Sequence, residues 1–254
     1  MRPTIYKIHS AWTRLRQRAE ILPHKWRGRE VVHVMHMGKT GGSAVKALLS
    51  RYPVTERYAI IPQPHSFCLR DVPIGEKAVF FLRDPVSRFV SGFYSRKRQG
   101  RPRHFAPWSD EEALAFSRFE TPNELGLALS SGITERRDQA RQAMRAIKHV
   151  CSTCSDWFED EAYFTSRWED ILFVGFQETL DLDMDRLKKI LGLPDEARLP
   201  SDEVIAHRNP AGLDRRLDEQ AVQNLQEWYR DDYAFIRLCH ALLDTRVSER
   251  VKSG

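Results

Sequence analysis

Residues 31–52 read VVHVMHMGKTGGSAVKALLSRY, and this stretch decides the fold. It opens with a short run of mainly apolar residues, which is typical of a buried β-strand. A glycine-rich loop follows at 38–43, and beyond it Val45, Leu48 and Leu49 recur at the spacing of a helix. The stretch therefore predicts a strand, a tight loop and a helix in direct succession.

The loop at 38–43 has the composition of a phosphate-binding site. Its glycines let backbone N–H groups turn toward an anion, and the amino terminus of the following helix adds its positive end. Lys39 supplies a full positive charge. The loop is not a Walker A motif, because that motif requires a further glycine upstream of the lysine, within what is here the apolar strand. The predicted phosphate-binding residues are Gly38, Lys39, Thr40, Gly41, Gly42 and Ser43.

A second unit of strand and helix follows at 78–94. Residues 78–82 form a continuous apolar run, which is typical of a central strand in a parallel sheet. Pro85 suits the first turn of a helix, and Ser91 lies on the polar face of that helix. Arg83 ends the strand at the edge where open α/β sheets bind ligands, so Arg83 and Ser91 could hold a phosphate between them. A structural ion pair is the alternative for this arginine.

The remainder of the chain continues the alternation of strands and helices. Residues 171–176 are predicted as a third strand, and residues 184–191 as a helix closed by Gly192. The region 100–165 is helical and charged, and residues 222–236 are predicted as one long amphipathic helix. This order predicts an α/β fold: a P-loop-like central parallel sheet with helices on both faces, in three layers.

Length and composition favour one packed domain. The 254 residues, of which 41% are hydrophobic, suffice for a full α/β core. We expect residues 1–28 to form a charged helical extension and residues 29–254 to form a single domain. The first thirty residues lack the continuous apolar stretch of a secretory signal, and no run of about eighteen apolar residues occurs. We therefore expect a soluble, cytoplasmic protein with no integral membrane span.

The net charge is +5, from 40 basic and 35 acidic residues. This excess is compatible with a nucleotide, a nucleic acid or an acidic glycan and does not choose among them. Cys151 and Cys154 form a C-x-x-C pair, but a zinc site would need two more ligands at a related spacing. Structural thiols are favoured, and a disulfide or metal stays open. His33 and His36 flank the first strand and are interpreted as strand-face residues, so no metal site is predicted.

The two phosphate motifs together resemble those of the sulfotransferases that use 3′-phosphoadenosine 5′-phosphosulfate (PAPS). The loop 38–43 is similar to their 5′-phosphosulfate loop, and the R-D-P-x-x-R-x-x-S-x-x-Y pattern at 83–94 is similar to their 3′-phosphate motif. Residues 174–179 and 207–210 resemble features of the carbohydrate, Golgi-type (sulfotransferase family 2-like) branch. The resemblance spans about residues 31–240.

This resemblance implies an enzyme that moves a sulfuryl group from PAPS to a hydroxyl of a carbohydrate or glycoconjugate. The product nucleotide would be adenosine 3′,5′-bisphosphate (PAP), and no metal would be required. The loop 38–43 would hold the 5′-phosphosulfate, and Arg83 and Ser91 would hold the 3′-phosphate. Lys39 would stabilise charge on the departing bridging oxygen. The implied partner is a glycan or glycolipid, and not a nucleic acid.

His65 is the candidate for the catalytic base. It lies between the two phosphate motifs, and a histidine titrates near neutral pH, as proton transfer from an acceptor hydroxyl requires. It resembles the histidine that uronyl 2-O-sulfotransferases carry ahead of the arginine strand. An ordinary loop histidine is the alternative. Other members of the glycan branch use a glutamate, so Glu56 is the second candidate.

Two other functional classes stay open from the sequence. A P-loop nucleotide kinase or NTPase would share the phosphate loop, although the missing upstream glycine and the lack of a clear strand ending in a magnesium-binding aspartate count against it. The basic run at 96–103 would also suit a non-catalytic protein that binds nucleic acid or acidic glycan. A binding protein would not need His65 or two separate phosphate motifs, and we interpret the run as part of an acceptor groove.

Overall fold

The computed structural model of the protein describes residues 21–102, 104–200 and 212–253. Within these ranges a single sheet of four parallel strands has the order β2-β1-β3-β4. The strands are β1 (Glu30–Val34), β2 (Tyr58–Pro62), β3 (Lys77–Leu82) and β4 (Ile171–Phe176).

Helices connect and follow the strands. Residues 21–26 are helical and residues 27–28 form a turn, whereas residues 1–20 of the predicted extension lie outside the described residues. The following helices are α1 (Gly42–Leu49), α2 (Pro85–Lys97), α3 (Asp110–Arg118), α4 (Pro122–Ala128), α5 (Thr134–Ala146), α6 (Ser155–Phe158), α7 (Glu161–Ser166), α8 (Leu180–Leu191), α9 (Glu219–Trp228) and α10 (Arg230–Ser253).

The sheet is the middle of three layers. Successive side chains of a strand point to opposite faces, and β3 shows both faces clearly. Ala78, Phe80 and Leu82 pack into a core with α6, α7 and α10, whereas Val79 and Phe81 pack into a core with α1 and α8. All five side chains are buried. The predicted α/β fold with a parallel sheet covered on both faces is confirmed.

A helical unit forms one side of the molecule next to this sheet. Its core joins α2, α3, α4, α5 and α9 through aromatic and aliphatic side chains. A buried ion pair lies inside the unit, where Arg96 Nε donates to Glu112 Oε1 at 2.7 Å. The charged region 100–165 contains α3, α4, α5 and α6 and is mainly helical, as predicted. Its role is to place α2 and the turn after α5 beside the sheet.

Two elements differ from the sequence predictions. The strand β2 was missed, because its run of five residues (YAIIP) has no alternating pattern and lies at the sheet edge. The prediction of one helix over 222–236 was wrong at Tyr229, which separates α9 from α10 with φ −102° and ψ 22°. The buried Tyr229 hydroxyl donates to the Val150 carbonyl at 2.7 Å, a tertiary contact that helical periodicity does not report.

Candidate active site

A cleft of about 2140 Å³ lies at the carboxyl edge of the sheet. The segments after β1, β2, β3 and β4 all contribute to its lining, since parallel strands end at the same edge. Pockets that enclose one drug-sized ligand have volumes of about 300–1000 Å³. The cleft is therefore large enough for a nucleotide and a second substrate together.

The glycine-rich loop takes the shape of an anion cradle between β1 and α1. Lys39 (φ 70°) and Gly41 (φ 82°) both have left-handed backbone, and Gly41 is the N-cap of α1 without a side-chain cap. No acidic residue lies in the first turn of α1, so its N–H groups meet no competing carboxylate there. Gly42 is required by packing, because a Cβ at this position would lie 2.3 Å from His36 Cδ2.

Arg83 joins the two phosphate motifs. Its Nη1 donates to the Lys39 carbonyl at 3.2 Å, and its Nε donates to Ser87 Oγ at 2.9 Å. Ser91 follows one helical turn after Ser87, is 9% exposed and lines the cleft. These hydrogen bonds go to a carbonyl and a hydroxyl, so the geometry favours an orienting network over a structural ion pair for Arg83.

Other residues of the arginine motif hold α2 in place. Asp84 caps α2 by accepting from the Ser87 N–H at 2.7 Å, and Tyr233 donates its hydroxyl proton to Asp84 at 2.7 Å. Arg88 is not part of the cleft lining, and its Nη2 donates to Asp232 Oδ2 at 2.6 Å in a buried pair. Asp84 and Arg88 therefore hold α2 in place beside the cleft.

The charge lining the cleft is mainly positive. Partial burial, together with the positive charges of Arg98 and Arg83, lowers the pKa of Lys39 from 10.5 to about 8. A lysine whose pKa is depressed by neighbouring cations gains most from a bound anion. The cationic side chains of the lining are Lys39, Lys46, Arg83, Arg96, Lys148 and Arg215, and the acidic ones are Asp156, Glu178 and Asp181.

His65 has the geometry of a proton acceptor. Its Nδ1–H donates to the His36 carbonyl at 2.9 Å, which leaves Nε2 with a free lone pair. The two imidazole rings stack with their centroids 3.8 Å apart, and Trp157 Nε1 donates to the His65 carbonyl at 3.0 Å. Burial, with the charges of Lys46 and Lys148 as smaller causes, lowers the pKa of His65 below 6.5, against the opposing effect of the His36 contact. The lowered pKa favours the neutral imidazole that a proton acceptor requires.

The structure adds His149, to which the sequence assigned no catalytic or binding role. It follows α5 in a turn, has φ 71°, and places its ring 6.3 Å from the His65 ring between centroids. Such backbone costs on the order of 1–3 kcal/mol and tends to occur at functional sites. Gly38 and Gly92 leave the space that His149 fills, so the only sequence signal was a pair of glycines distant from it along the chain.

Glu56 is not brought into the cleft. It is exposed and precedes the amino end of β2, whereas the cleft lies at the carboxyl ends of the strands. Glu56 is therefore not a candidate for the base. Residues 207–210, which contributed to the resemblance, lie outside the described residues.

The two histidines near β1, His33 and His36, have different environments. His33 is buried on a strand face between Gln63 and Glu76, with ring contacts of 2.8 and 2.6 Å, as interpreted from the sequence. His36 differs, because it lines the cleft and stacks on His65. None of the four cysteines forms a disulfide bond. Among the described residues, no group of three or more potential ligands is placed to hold a metal ion.

In the described ranges, no helix combines sufficient length with sufficient apolar character to span a membrane.

The class of protein follows from a comparison with known families, and the parallel α/β sheet agrees with it. The sequence model of the sulfotransferase family matches residues 75–236, which is more than half of the chain. The chain belongs to the sulfotransferase family and is a transferase of sulfuryl groups. The match contains Arg83, Ser91 and His149 but begins after the loop 38–43 and His65. A search of curated proteins found no match.

Proposed function

We propose that the protein transfers the sulfuryl group of PAPS to a hydroxyl of a carbohydrate or glycoconjugate, with His65 as the base. One observation carries the proposal: Lys39, Arg83, Ser91 and His65 line the same cleft, and Arg83 is hydrogen-bonded to the Lys39 carbonyl. In this proposal, residues 29–254 form one catalytic domain.

The donor side of the cleft suits a nucleotide with phosphates at two positions. The loop around Lys39 offers backbone N–H groups and one ammonium to a 5′-phosphosulfate. Arg83 and Ser91 line the same cleft as the loop, and they offer a guanidinium and a hydroxyl to a 3′-phosphate. Since Arg83 Nε and Nη1 already donate to Ser87 and Lys39, the guanidinium is held in one orientation, and within the described ranges Nη2 has no hydrogen-bond partner and can serve a ligand.

The chemistry assigned to the residues is one in-line displacement. His65 Nε2 accepts the proton of the acceptor hydroxyl, and the hydroxyl oxygen forms the new bond to sulfur. The bond between sulfur and the bridging phosphate oxygen breaks, and the electron pair stays on that oxygen. Lys39 stabilises this developing negative charge, which makes its contribution larger in the transition state than in the ground state. No step requires a metal ion.

The acceptor side is assigned to the part of the cleft next to His65. Gly100, from the basic run at 96–103, lines this cleft, and Arg96 lines it while paired with the buried Glu112, so the proposed acceptor-groove role of the run rests on the position of Gly100 and not on the charge of Arg96. His65 keeps one ring nitrogen for an acceptor hydroxyl, as a positioned proton acceptor requires.

Nucleotide titration tests the proposal against the two rival classes. We expect PAP to bind more tightly than ADP or ATP, because only PAP carries a 3′-phosphate. Arg83→Ala removes a charged contact worth about 2–3 kcal/mol and should weaken PAP binding roughly 30- to 150-fold. The matched control is Arg57→Ala, since Arg57 is exposed, pairs with Glu30 and lies outside the cleft.

Calorimetry with the three nucleotides separates the outcomes. Equal affinity for PAP and ADP in the wild-type protein would contradict the proposal that the protein transfers a sulfuryl group from PAPS. Preference for ATP would support an NTPase, and glycan binding without nucleotide binding would support a binding protein.

A further inference from the structure

The turn that carries His149 is fixed on two sides. The Val150 carbonyl accepts from the buried Tyr229 hydroxyl at 2.7 Å, and the Lys148 N–H donates to Glu112 Oε1 at 3.0 Å. The position of the His149 ring is therefore set by the helical core, and not by the side chain alone.

His149 is wedged between the two phosphate motifs. A Cβ added at Gly38 would lie 2.9 Å from His149 Nδ1, and a Cβ added at Gly92 would lie 3.3 Å from the His149 carbonyl carbon. Gly38 opens the loop with Lys39, and Gly92 follows Ser91 in α2. Two glycines thus admit one histidine, whose positive φ of 71° directs the ring into the cleft. The Nδ1–Cε1 edge faces Gly38.

The ring has unused hydrogen-bonding capacity. It is partly exposed to the cleft, and among the described residues neither of its nitrogens has a hydrogen-bond partner. Burial, then the charges of Lys39, His65, Lys148 and Arg96, lowers the pKa of His149 to about 3. A neutral imidazole offers one N–H donor and one acceptor nitrogen, and it does not compete with His65 for the substrate proton at neutral pH.

The place of the ring identifies its ligand. In an in-line transfer, the sulfur atom lies between the base and the loop that holds the leaving phosphate. His149 lies beside both, with its ring 6.3 Å from His65 and against Gly38 of the loop. We propose that the His149 imidazole donates a hydrogen bond to a sulfuryl oxygen of PAPS, and so distinguishes the donor from its product PAP. This inference rests on the proposed function.

Comparison of PAPS with PAP isolates this contact, because the two nucleotides differ only by the sulfuryl group. His149→Gly removes the ring and accepts the positive φ, and His149→Asn keeps an N–H donor in a residue that tolerates this backbone. The His149→Gly variant loses a hydrogen bond to a charged group, so its PAPS binding should be about 10- to 100-fold weaker than that of the wild-type protein. Its PAP binding should change less than about 3-fold. His149→Asn should fall between His149→Gly and the wild-type protein.

Glu159→Gly is the matched control. Glu159 also has a positive φ (64°), is not part of the cleft lining and pairs with exposed Arg70. It should leave the affinities for PAPS and PAP unchanged. Calorimetry without acceptor measures both affinities, and melting temperatures show which variants are folded.

The outcomes separate the inference from the function on which it rests. If the wild-type protein binds neither PAPS nor PAP, both the proposed function and the proposed contact of His149 are wrong. Tight binding of both nucleotides, with equal losses or no loss of PAPS and PAP affinity in the two His149 variants, would overturn the contact and leave the proposed function intact. Loss of PAPS affinity alone in either folded variant supports the contact.

Discussion

Replacement of His65 by asparagine separates proton transfer from structure. An asparagine amide N–H can replace the Nδ1–H that donates to the His36 carbonyl at 2.9 Å, but asparagine has no equivalent of the basic Nε2. His65→Ala removes both features and is the comparison variant. If His65 is the base, the two variants should lose turnover to a similar extent.

The expected magnitudes differ enough to decide between the two roles. Loss of a positioned proton acceptor lowers turnover by roughly 10²- to 10⁴-fold. Loss of the hydrogen bond to His36 alone is worth about 0.5–1.5 kcal/mol, which corresponds to a factor of roughly 2 to 13. His65→Ala also loses the ring stacked on His36 at 3.8 Å, so its melting temperature should fall more than that of His65→Asn.

The assay is PAP release at saturating PAPS with the best acceptor from a panel of glycans, measured across pH. The base acts as neutral imidazole, and its folded-state pKa is lowered from 6.5, chiefly by burial. The active form therefore persists below pH 6.5, and wild-type turnover should fall only on further acidification. This acidic limb should vanish in the residual activity of both variants, while PAP affinity at pH 7 stays nearly constant.

A folded His65→Asn enzyme with wild-type turnover would refute the assignment. Loss of activity in His65→Ala together with full activity in His65→Asn would give His65 a structural role. A wild-type rate without an acidic limb would likewise exclude a titrating histidine as the base.

Three further predictions concern the phosphate loop. Lys39→Ala should reduce turnover at saturating PAPS more than it reduces PAP affinity, and unchanged turnover would leave Lys39 with a binding role only. Because the free-protein pKa of Lys39 is about 8, PAP affinity should weaken as pH rises through 8, and calorimetry of Lys39→Ala should show this dependence removed. Gly42→Ala places a methyl 2.3 Å from His36 Cδ2, so it should cost about 1–3 kcal/mol and lower the melting temperature by roughly 2–12 °C. Gly132→Ala, with open space at the added Cβ, is its control, and equal melting temperatures would contradict the packing role of Gly42.

The fold class, the loop around Lys39 and the strand that ends at Arg83 were predictable from local sequence. The apolar run before Gly38 and the apolar run before Arg83 each predicted a strand that ends in a phosphate motif. The strand at 171–176 and the helix closed by Gly192, with φ 67°, are also as predicted. In each case one segment carries both the hydrophobic pattern and the residue that ends the element.

The edge strand and the break at Tyr229 were not predictable in this way. The strand β2 gains its partner from β1, and the break at Tyr229 accompanies a hydrogen bond to Val150, seventy-nine residues away along the chain. Such contacts leave no periodic pattern in the local sequence.

The sequence by itself determined the α/β class and the phosphate chemistry around Lys39 and Arg83, because consecutive residues encode both. Only the tertiary structure decided which other side chains share the cleft. It stacks His36 on His65, brings in His149 and leaves Glu56 at the opposite edge. The physical reason is that the parallel sheet gathers the carboxyl ends of all four strands, while close packing at Gly38, Gly42 and Gly92 selects the side chains that fit between them.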